Sequence, residues 1–286
     1  MARERFLPSK HSAASGFEGQ TPLNEAAIEH ALWKPRISAE GICGVVTFEL
    51  NPDLDLEALA RDYSAHGRVR IESLLAEEGA AALYEHLESR QDWWHLINTP
   101  DGIVELDRPT RARMSEDELW ALDRTINEGA RSGFQYRYEG LRVPSREEEA
   151  AAGENPLTEF GRLMSSEPML TMLRAVTGCA DVSFTDGQAT AYGPGDFLTG
   201  HDDDVAGKNR LAAYVFGLTP RWRLEWGGLL LFHGADEASV AGHVPRFNTL
   251  DLFKVPQRHS VSIVSPAAPA LRYSVTGWLR SGARQA

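Results

Sequence analysis

The sequence has little that would place it in a membrane or cross-link it. No apolar run approaches the roughly eighteen residues of a membrane-spanning helix, and the longest extends only from Gly228 to Phe232. The start lacks the apolar segment of a secretory signal peptide, so we expect no such signal. Two cysteines, Cys43 and Cys179, are too few for a disulfide framework or a cysteine-rich zinc site. These absences predict a soluble, cytoplasmic protein without a membrane partner.

Basic residues are in deficit. The 286 residues include 29 Lys and Arg against 41 Asp and Glu, which gives a net charge of −12. A field of this sign repels phosphate backbones, so nucleic acid is disfavoured as a partner or substrate. The apolar fraction of 42% is sufficient for a full hydrophobic core. The composition therefore predicts a globular protein and leaves its chemistry to the motifs.

Helix patterns dominate the first half of the chain. Residues 1–22 are rich in Ser, Gly, Lys and Pro and are predicted to form a mobile arm, followed by a single domain over residues 23–286. Apolar periodicity predicts a helix at Leu74–Arg90, with Leu75, Gly79, Leu83 and Leu87 on one stripe. Ser115, with Glu118 three residues later, predicts the start of a second helix. A third long helix is predicted at Leu157–Thr177.

Strand patterns dominate after residue 180. Earlier β-type runs lie at Gly44–Leu50 and Arg68–Ile71, and Phe134, Tyr136 and Tyr138 alternate as in a half-buried strand. The later runs are Val182–Tyr192, Leu211–Leu218, Gly228–Phe232, Phe247–Val255, Ser260–Val264 and Tyr273–Leu279. Short, regularly spaced strands indicate a sandwich or barrel. We therefore predict an α+β fold, mainly β in its core, with helices bracing one sheet.

One group of residues indicates metal chemistry. His201 and Asp203 lie in a Gly-rich loop after a strand, and in an extended chain a His-x-Asp pair projects both side chains to one side. His259, which opens a later strand, would complete a face of two histidines and one carboxylate. Such a face holds Fe(II) and leaves positions open for a co-substrate and O₂. Asp202 and Asp204 lack the His-x-Asp spacing, and by itself the pair is a weak signal that chance can produce.

Further motifs follow in a fixed order. They are H-D-D-D from His201, W-G-G-L-L-L-F up to Phe232, R-F-N-T-L up to Leu250, H-S-V-S-I-V from His259 and R-Y-S-V-T-G-W from Arg272. This order resembles the 2-oxoglutarate/Fe(II) dioxygenases, and most of all their prolyl-hydroxylase-like branch. The resemblance implies a double-stranded β-helix, or jelly roll, at residues 180–281, with the helices of residues 23–179 packed on its larger sheet.

The resemblance also implies cofactors and site residues. The iron would be Fe(II), with 2-oxoglutarate and O₂ as co-substrates and ascorbate as the reductant. The implied iron ligands are His201, Asp203 and His259. Arg272, on the next predicted strand, would bind the distal carboxylate of 2-oxoglutarate through its planar guanidinium, with the Ser274 hydroxyl on the same face.

Other residues have roles in the branch that leave alternatives open. Tyr192 corresponds to a tyrosine that often binds the co-substrate, and a core position is its alternative. Arg210 corresponds to an arginine that faces the substrate, and a strand-end salt bridge is its alternative. Tyr136, with Phe134, Tyr138, Trp93 and Trp94, can line a peptide-sized cleft or belong to the core. The implied reaction hydroxylates an unactivated C–H bond, of a prolyl residue in a protein or of a free amino acid or small metabolite, and releases succinate and CO₂.

The sequence departs from this branch at Gly217, where members of the branch often have a side chain that forms part of the pocket wall. His233 and His243 are predicted to be surface residues. Two other function classes remain. Asp202-x-Asp204 can belong to a metal-dependent glycosyltransferase, although that class has a parallel α/β sheet and the β-rich second half opposes it. A non-catalytic jelly-roll binding or sensor protein is the other, but it would have no need of the three metal-binding residues and Arg272.

Overall fold

Six α-helices, one short 3₁₀ helix at Leu224–Trp226 and twelve strands are found in the part of the chain that the structure describes. This computed structural model describes residues 47–99, 102–143, 155–236 and 238–283, which belong to the unit formed by residues 35–286. The helices are Leu56–His66 (α1), Glu77–Ser89 (α2), Arg108–Arg113 (α3), Glu116–Ser132 (α4), Pro156–Met164 (α5) and Glu167–Thr177 (α6). The predicted arm at residues 1–22 lies outside the described residues, so the domain boundaries stay predictions.

The local signals for two helices are confirmed. Helix α2 buries Leu83 and Leu87 completely, on the stripe that the apolar spacing predicts. Helix α4 begins with a capping box, in which Ser115 Oγ accepts from the Glu118 backbone N–H and the Glu118 carboxylate accepts from the Ser115 N–H. None of the described helices has both the length and the apolar composition needed to cross a membrane.

The single helix predicted over Leu157–Thr177 is wrong, because the chain forms α5 and α6 there with a break between them. Pro168 lies in the first turn of α6. In one continuous helix its ring would clash with the carbonyl of Met164 and one hydrogen bond would be lost. Ser166 begins α6 instead, and its hydroxyl accepts from the Met169 backbone N–H.

The strands pair antiparallel in one curled sheet. They are Arg68–Glu72 (β1), Trp94–Thr99 (β2), Gly102–Asp107 (β3), Tyr136–Arg142 (β4), Val182–Tyr192 (β5), Phe197–His201 (β6), Arg210–Leu218 (β7), Leu230–His233 (β8), Val240–His243 (β9), Phe247–Lys254 (β10), His259–Val261 (β11) and Arg272–Ser281 (β12). Their order is β1-β10-β7-β12-β5-β4-β6-β11-β8-β9, and the β2–β3 hairpin joins through β4. This is the predicted α+β, jelly-roll-like fold.

Most predicted strands of the second half form where their patterns lie, whereas β6, β9 and the β2–β3 hairpin were not predicted. The strand expected at Gly44–Leu50 is not found in its described part, residues 47–50. Only Leu50 makes a β-bridge there, to Leu75. Phe48 is buried in the core instead and packs edge-on against Phe160, with ring centroids 5.8 Å apart. Backbone pairing of this segment is limited to Glu49–Asn51, which bond to Leu74 and Ala76.

The two faces of β12 have different environments. Val275 and Leu279 are completely buried in the main core, together with residues of α2, α5 and α6. Side chains alternate along a strand, so Arg272 and Ser274 lie on the opposite face, inside the curled sheet. Both are buried as well. Polar side chains inside the sheet therefore need partners that solvent does not supply.

Candidate active site

Three side chains that can bind a metal meet where β6 and β11 pair. His201 ends β6 and His259 begins β11, and the two are direct cross-strand partners. His201 Nε2 lies 3.6 Å from Asp203 Oδ1, and His259 Nε2 lies 3.5 Å from Asp203 Oδ2. One ligand atom from each residue lies within 4.8 Å of the others. The strand register thus brings together the three residues that the sequence suggested for iron.

The position of the Asp203 side chain is set by a turn. The sequence prediction of an extended chain, with side chains alternating between two sides, is wrong at this residue. Asp203 has a φ of +66°, in the left-handed region that Asp tolerates better than most residues. Asp202 Oδ1 accepts from the Asp204 backbone N–H at 3.1 Å, as in an Asx turn. Asp202 therefore shapes the loop, while the Asp203 carboxylate faces both histidines.

The donor set of this cluster fits a divalent transition metal. His201 Nδ1 donates to the Thr199 carbonyl at 3.1 Å, and His259 Nδ1 donates to the Gln257 carbonyl at 2.7 Å. These bonds select the tautomer whose unprotonated Nε2 can bind a metal. Burial, with His201 close by, lowers the pKa of His259 to about 4, so its imidazole is neutral at physiological pH. Two imidazoles and one carboxylate are the donors that Fe(II) takes in a facial triad.

Among the described residues, no carboxylate forms a hydrogen bond or a salt bridge with the buried cation Arg272. It is 4% exposed, and its Nη1 makes no hydrogen bond. Its Cζ lies 5.0 Å from the centroid of the Tyr192 ring, on the neighbouring strand β5. Burial lowers the pKa of Arg272, which reflects the cost of keeping a charge there. A buried charge of this kind is stabilised by pairing with an anion, so the geometry prepares the interior of the sheet for one.

Two predicted co-substrate residues flank Arg272. Tyr192 is buried, and burial raises the pKa of its phenol, so the hydroxyl is neutral and can donate. Ser274 lies on the same face of β12 as Arg272, and its Oγ is 2.8 Å from Thr190 Oγ1. Both side chains lie in the sheet interior beside the guanidinium.

Arg210 lies next to the metal-binding residues. Its guanidinium stacks on the Trp278 ring, with Cζ 3.6 Å from the centroid. Its Nη1 donates to the Asp203 carbonyl at 3.2 Å and lies 3.6 Å from Asp203 Oδ1. Arg210 Nε is buried and has no hydrogen-bond partner. The side chain therefore retains donor capacity beside the site.

An aromatic row, formed by Phe134, Tyr136, Tyr138 and Tyr192, runs from the surface to Arg272. Its successive ring centroids are 5.6, 5.4 and 5.1 Å apart. Phe134 is 48% exposed and its ring lies 5.5 Å from that of His201. Tyr136 is thus half-buried between the exposed ring of Phe134 and the half-buried ring of Tyr138, as in the wall of a cleft.

One sequence prediction near the pocket is wrong. His243 and His233 are half-buried, not surface residues, because His243 Nδ1 is 2.7 Å from Asp251 Oδ1 and His233 Nε2 is 2.8 Å from Ser260 Oγ. At Gly217, where the sequence departs from the prolyl-hydroxylase-like branch, the backbone of Arg246 packs closely: a Cβ on Gly217 would lie 2.3 Å from the Arg246 carbonyl oxygen.

A charged group that the sequence analysis missed lies beside Arg272. Asp251, which is 5% exposed, accepts from Arg70 Nε at 2.8 Å and from Arg70 Nη2 at 2.7 Å. It also accepts from His243. Arg70, His243, Asp251 and Arg272 line one cavity together. The available signal was an acidic residue inside the apolar run L-D-L-F that ends at Phe253.

Comparisons with known proteins agree with this geometry. The family model of the 2OG-Fe(II) oxygenase superfamily matches residues 187–280. A prolyl-4-hydroxylase from Pseudomonas putida has a similar structure, with a TM-score of 0.54, 16% identity, and coverage of 80% of this chain and 100% of that chain. A Trichoplax adhaerens prolyl hydroxylase, in complex with a hypoxia inducible factor peptide fragment, has a TM-score of 0.54, 14% identity, and coverage of 79% and 89%. A search of the curated proteins by sequence finds no match.

At these identities the solved structures establish the fold alone. The matched segment runs from Gly187 in β5 to Arg280 in β12 and includes the three candidate metal-binding residues and Arg272. Residues 187–280 are therefore similar to the 2OG-Fe(II) oxygenase superfamily, within a fold similar to that of prolyl hydroxylases.

Proposed function

We propose that this protein hydroxylates a prolyl residue of a protein substrate, with Fe(II), 2-oxoglutarate and O₂. The observation that carries the proposal is the buried Arg272, which has no ion pair within the described part of the chain and lies in the same sheet as the candidate metal-binding cluster. A 2-oxo dicarboxylate has a chelating end for a metal and an anionic end for a guanidinium. Bound iron would supply the oxidation of the C–H bond, with release of succinate and CO₂.

In this proposal His201, Asp203 and His259 hold the iron. The backbone carbonyls that accept from the two Nδ1–H groups keep both imidazoles oriented before the metal binds. Such prior orientation strengthens binding, because less conformational freedom is lost. Three protein donors would leave the remaining coordination positions for the co-substrate and O₂.

Arg272 would bind the distal carboxylate of 2-oxoglutarate through charge-assisted hydrogen bonds, which are strong in a buried pocket. Ser274 can add a hydroxyl donor, since Thr190 Oγ1 can serve as acceptor or donor in their pair. The Tyr192 hydroxyl, neutral because burial raises its pKa, can donate as well. Together these groups would replace the water that the carboxylate loses on binding.

The aromatic row supports a prolyl substrate. Segments rich in proline dock in grooves lined by aromatic side chains, where the ring packs on flat apolar faces. Phe134 and Tyr136 present such faces beside His201. Arg210, whose guanidinium lies beside Asp203, would contact the substrate next to the metal-binding cluster. The similarity in fold to a prolyl hydroxylase that was solved with a peptide fragment is consistent with this assignment.

The reaction class is tested by succinate formation from 2-oxoglutarate with Fe(II), with and without ascorbate, and without any other substrate. We expect slow turnover by the wild type and by His66→Ala, which removes an exposed histidine of α1. His259→Ala should lose both turnover and bound iron. Unchanged turnover in His259→Ala would contradict the iron assignment. Absence of both iron and 2-oxoglutarate binding in the wild type would instead indicate a non-catalytic jelly-roll protein.

The substrate class is tested by mass spectrometry with proline-containing peptides and with free amino acids in parallel. A prolyl hydroxylase adds one oxygen atom to a proline in the peptide and couples this to succinate release. Stimulation by a free amino acid alone would favour the small-metabolite alternative. Ascorbate dependence and a cytoplasmic setting, inferred from the sequence, belong to the same proposal.

A further inference from the structure

The interior of the sheet contains the carboxylate of Asp251, which is an alternative to the carboxylate of 2-oxoglutarate as a partner for Arg272. Asp251 and Arg272 line the same cavity, with Gly217 and Val215 of β7 between their strands. Asp251 is held away from Arg272 by other partners, however. Without these partners, the Asp251 carboxylate would be able to turn toward the guanidinium of Arg272.

Arg70 holds the Asp251 carboxylate in a fixed position. Arg70 on β1 and Asp251 on β10 are direct cross-strand partners, and the guanidinium donates to both carboxylate oxygens at 2.8 and 2.7 Å. The same guanidinium donates to the Val244 carbonyl at 3.2 Å. The side chains of Arg70 and Asp251 are only 19% and 7% exposed. A bidentate pair at this burial fixes the orientation of both partners.

His243 is a second partner of Asp251 Oδ1, since His243 Nδ1 lies 2.7 Å from this oxygen. Arg272, in contrast, has no hydrogen bond at Nη1 although it lies in the same cavity. The three residues Arg70, Asp251 and Arg272 carry a net charge of one positive unit among them. An entering carboxylate of a ligand would neutralise this charge, provided that Asp251 does not reach Arg272 first.

We propose that Arg70 is a positioning residue that sequesters Asp251 and so keeps Arg272 free for the distal carboxylate of 2-oxoglutarate. This inference rests on the proposed function and adds a determinant of co-substrate affinity outside the matched family segment. Without Arg70, Asp251 would turn toward Arg272 and form the pair that the co-substrate needs.

The test is a double-mutant cycle, measured by calorimetric titration of 2-oxoglutarate into anaerobic Fe(II)-loaded protein. Arg70→Gln should raise the Kd about tenfold or more, within the range of coupling between contacting charges. Asp251→Asn should leave the Kd unchanged or lower it. In the Asp251→Asn background, Arg70→Gln should have almost no effect, because the competing carboxylate is gone. Additive effects of the two changes, as from long-range charge alone, would overturn the inference.

A matched ligand and a second variant separate this mechanism from loss of structure. 2-Oxopentanoate has the same chain length but no distal carboxylate, so Arg70→Gln should not weaken its binding. If Arg70→Gln fails to fold, Asp251→Asn alone still decides: a merely supporting carboxylate predicts weaker 2-oxoglutarate binding, and sequestration does not. Failure of the wild type to bind 2-oxoglutarate would defeat the proposed function, whereas normal wild-type binding without coupling would defeat only this inference.

Discussion

Replacing Arg272 with methionine should make the free protein more stable and the co-substrate complex much weaker. Arg272 is 4% exposed, and Nη1 lacks a hydrogen bond. A buried polar group without a partner costs about 1–3 kcal/mol. The Tyr192 ring, 5.0 Å from Cζ, returns about 0.5–2 kcal/mol as a cation–π contact. Methionine fills similar space without a charge, so Arg272→Met should add about 1 kcal/mol to the free energy of unfolding, or about 2–4 °C in Tm.

The effect on binding has the opposite sign. Removal of one partner from a buried charge pair costs about 2–5 kcal/mol. The Kd for 2-oxoglutarate should therefore rise by about 30-fold to several thousand-fold. The measurement combines thermal unfolding of the ligand-free protein with calorimetric titration of 2-oxoglutarate into the anaerobic Fe(II)-loaded protein.

Arg280→Met is the matched control on the same strand and face. Arg280 Nη1 lies 2.7 Å from Asp186 Oδ2 and Nε lies 2.7 Å from the Lys208 carbonyl. Because Arg280 is paired, its loss should destabilise the protein by about 1–3 kcal/mol and leave 2-oxoglutarate binding unchanged. A lower Tm for Arg272→Met together with an unchanged Kd would refute the reasoning about Arg272.

Three further outcomes follow from the packing, and each is measured by the free energy of unfolding in urea. Gly217→Ala should destabilise the protein by about 1–3 kcal/mol, since its Cβ would lie 2.3 Å from the Arg246 carbonyl; an unchanged value would contradict this contact. Ser115→Ala removes the cap of α4 and should cost about 1 kcal/mol without changing turnover, and a loss of turnover would contradict a purely local role. Burial raises the pKa of Asp251, but hydrogen bonds from Arg70 and His243 outweigh it and lower the pKa. Because the pKa of Asp251 is lower in the folded than in the unfolded state, its ionised carboxylate stabilises the fold above the unfolded pKa of about 3.9, and this stability is lost as the pH falls through the folded pKa. The free energy of unfolding of the wild type should therefore exceed that of Asp251→Asn by a smaller amount below about pH 4. A difference that stays constant with pH would contradict this prediction.

The sequence contained the local features of this protein because their causes lie within a few residues. The capping box at Ser115 and the stripe that buries Leu83 and Leu87 depend only on nearby spacing. The strand patterns after residue 180 depend on alternation and turn residues, which is why most of them were correct. Pro168 was a sequence signal for a helix break, but the apolar periodicity on both sides of it led to the prediction of one continuous helix beyond the end of α5.

The order of the motifs also pointed to the three candidate metal-binding residues, although not to the geometry that brings them together. His201 and His259 meet because β6 pairs with β11, a register that no local pattern specifies. Asp203 faces them through a left-handed turn, whereas local alternation suggested an extended chain. The residue types could be predicted from the sequence, but their arrangement depends on how the strands pair in the sheet.

Only the tertiary structure decided which charges around Arg272 are paired. Arg70 and Asp251 are 181 positions apart in the chain, and their pairing depends on the antiparallel register of β1 with β10. Sequence patterns report burial along one element, but hydrogen bonding between buried charges depends on which elements become neighbours. The sequence thus predicted a metal chemistry and a buried arginine, while the folded sheet determined that, among the described residues, Asp251 is hydrogen-bonded to Arg70 and His243 and not to Arg272.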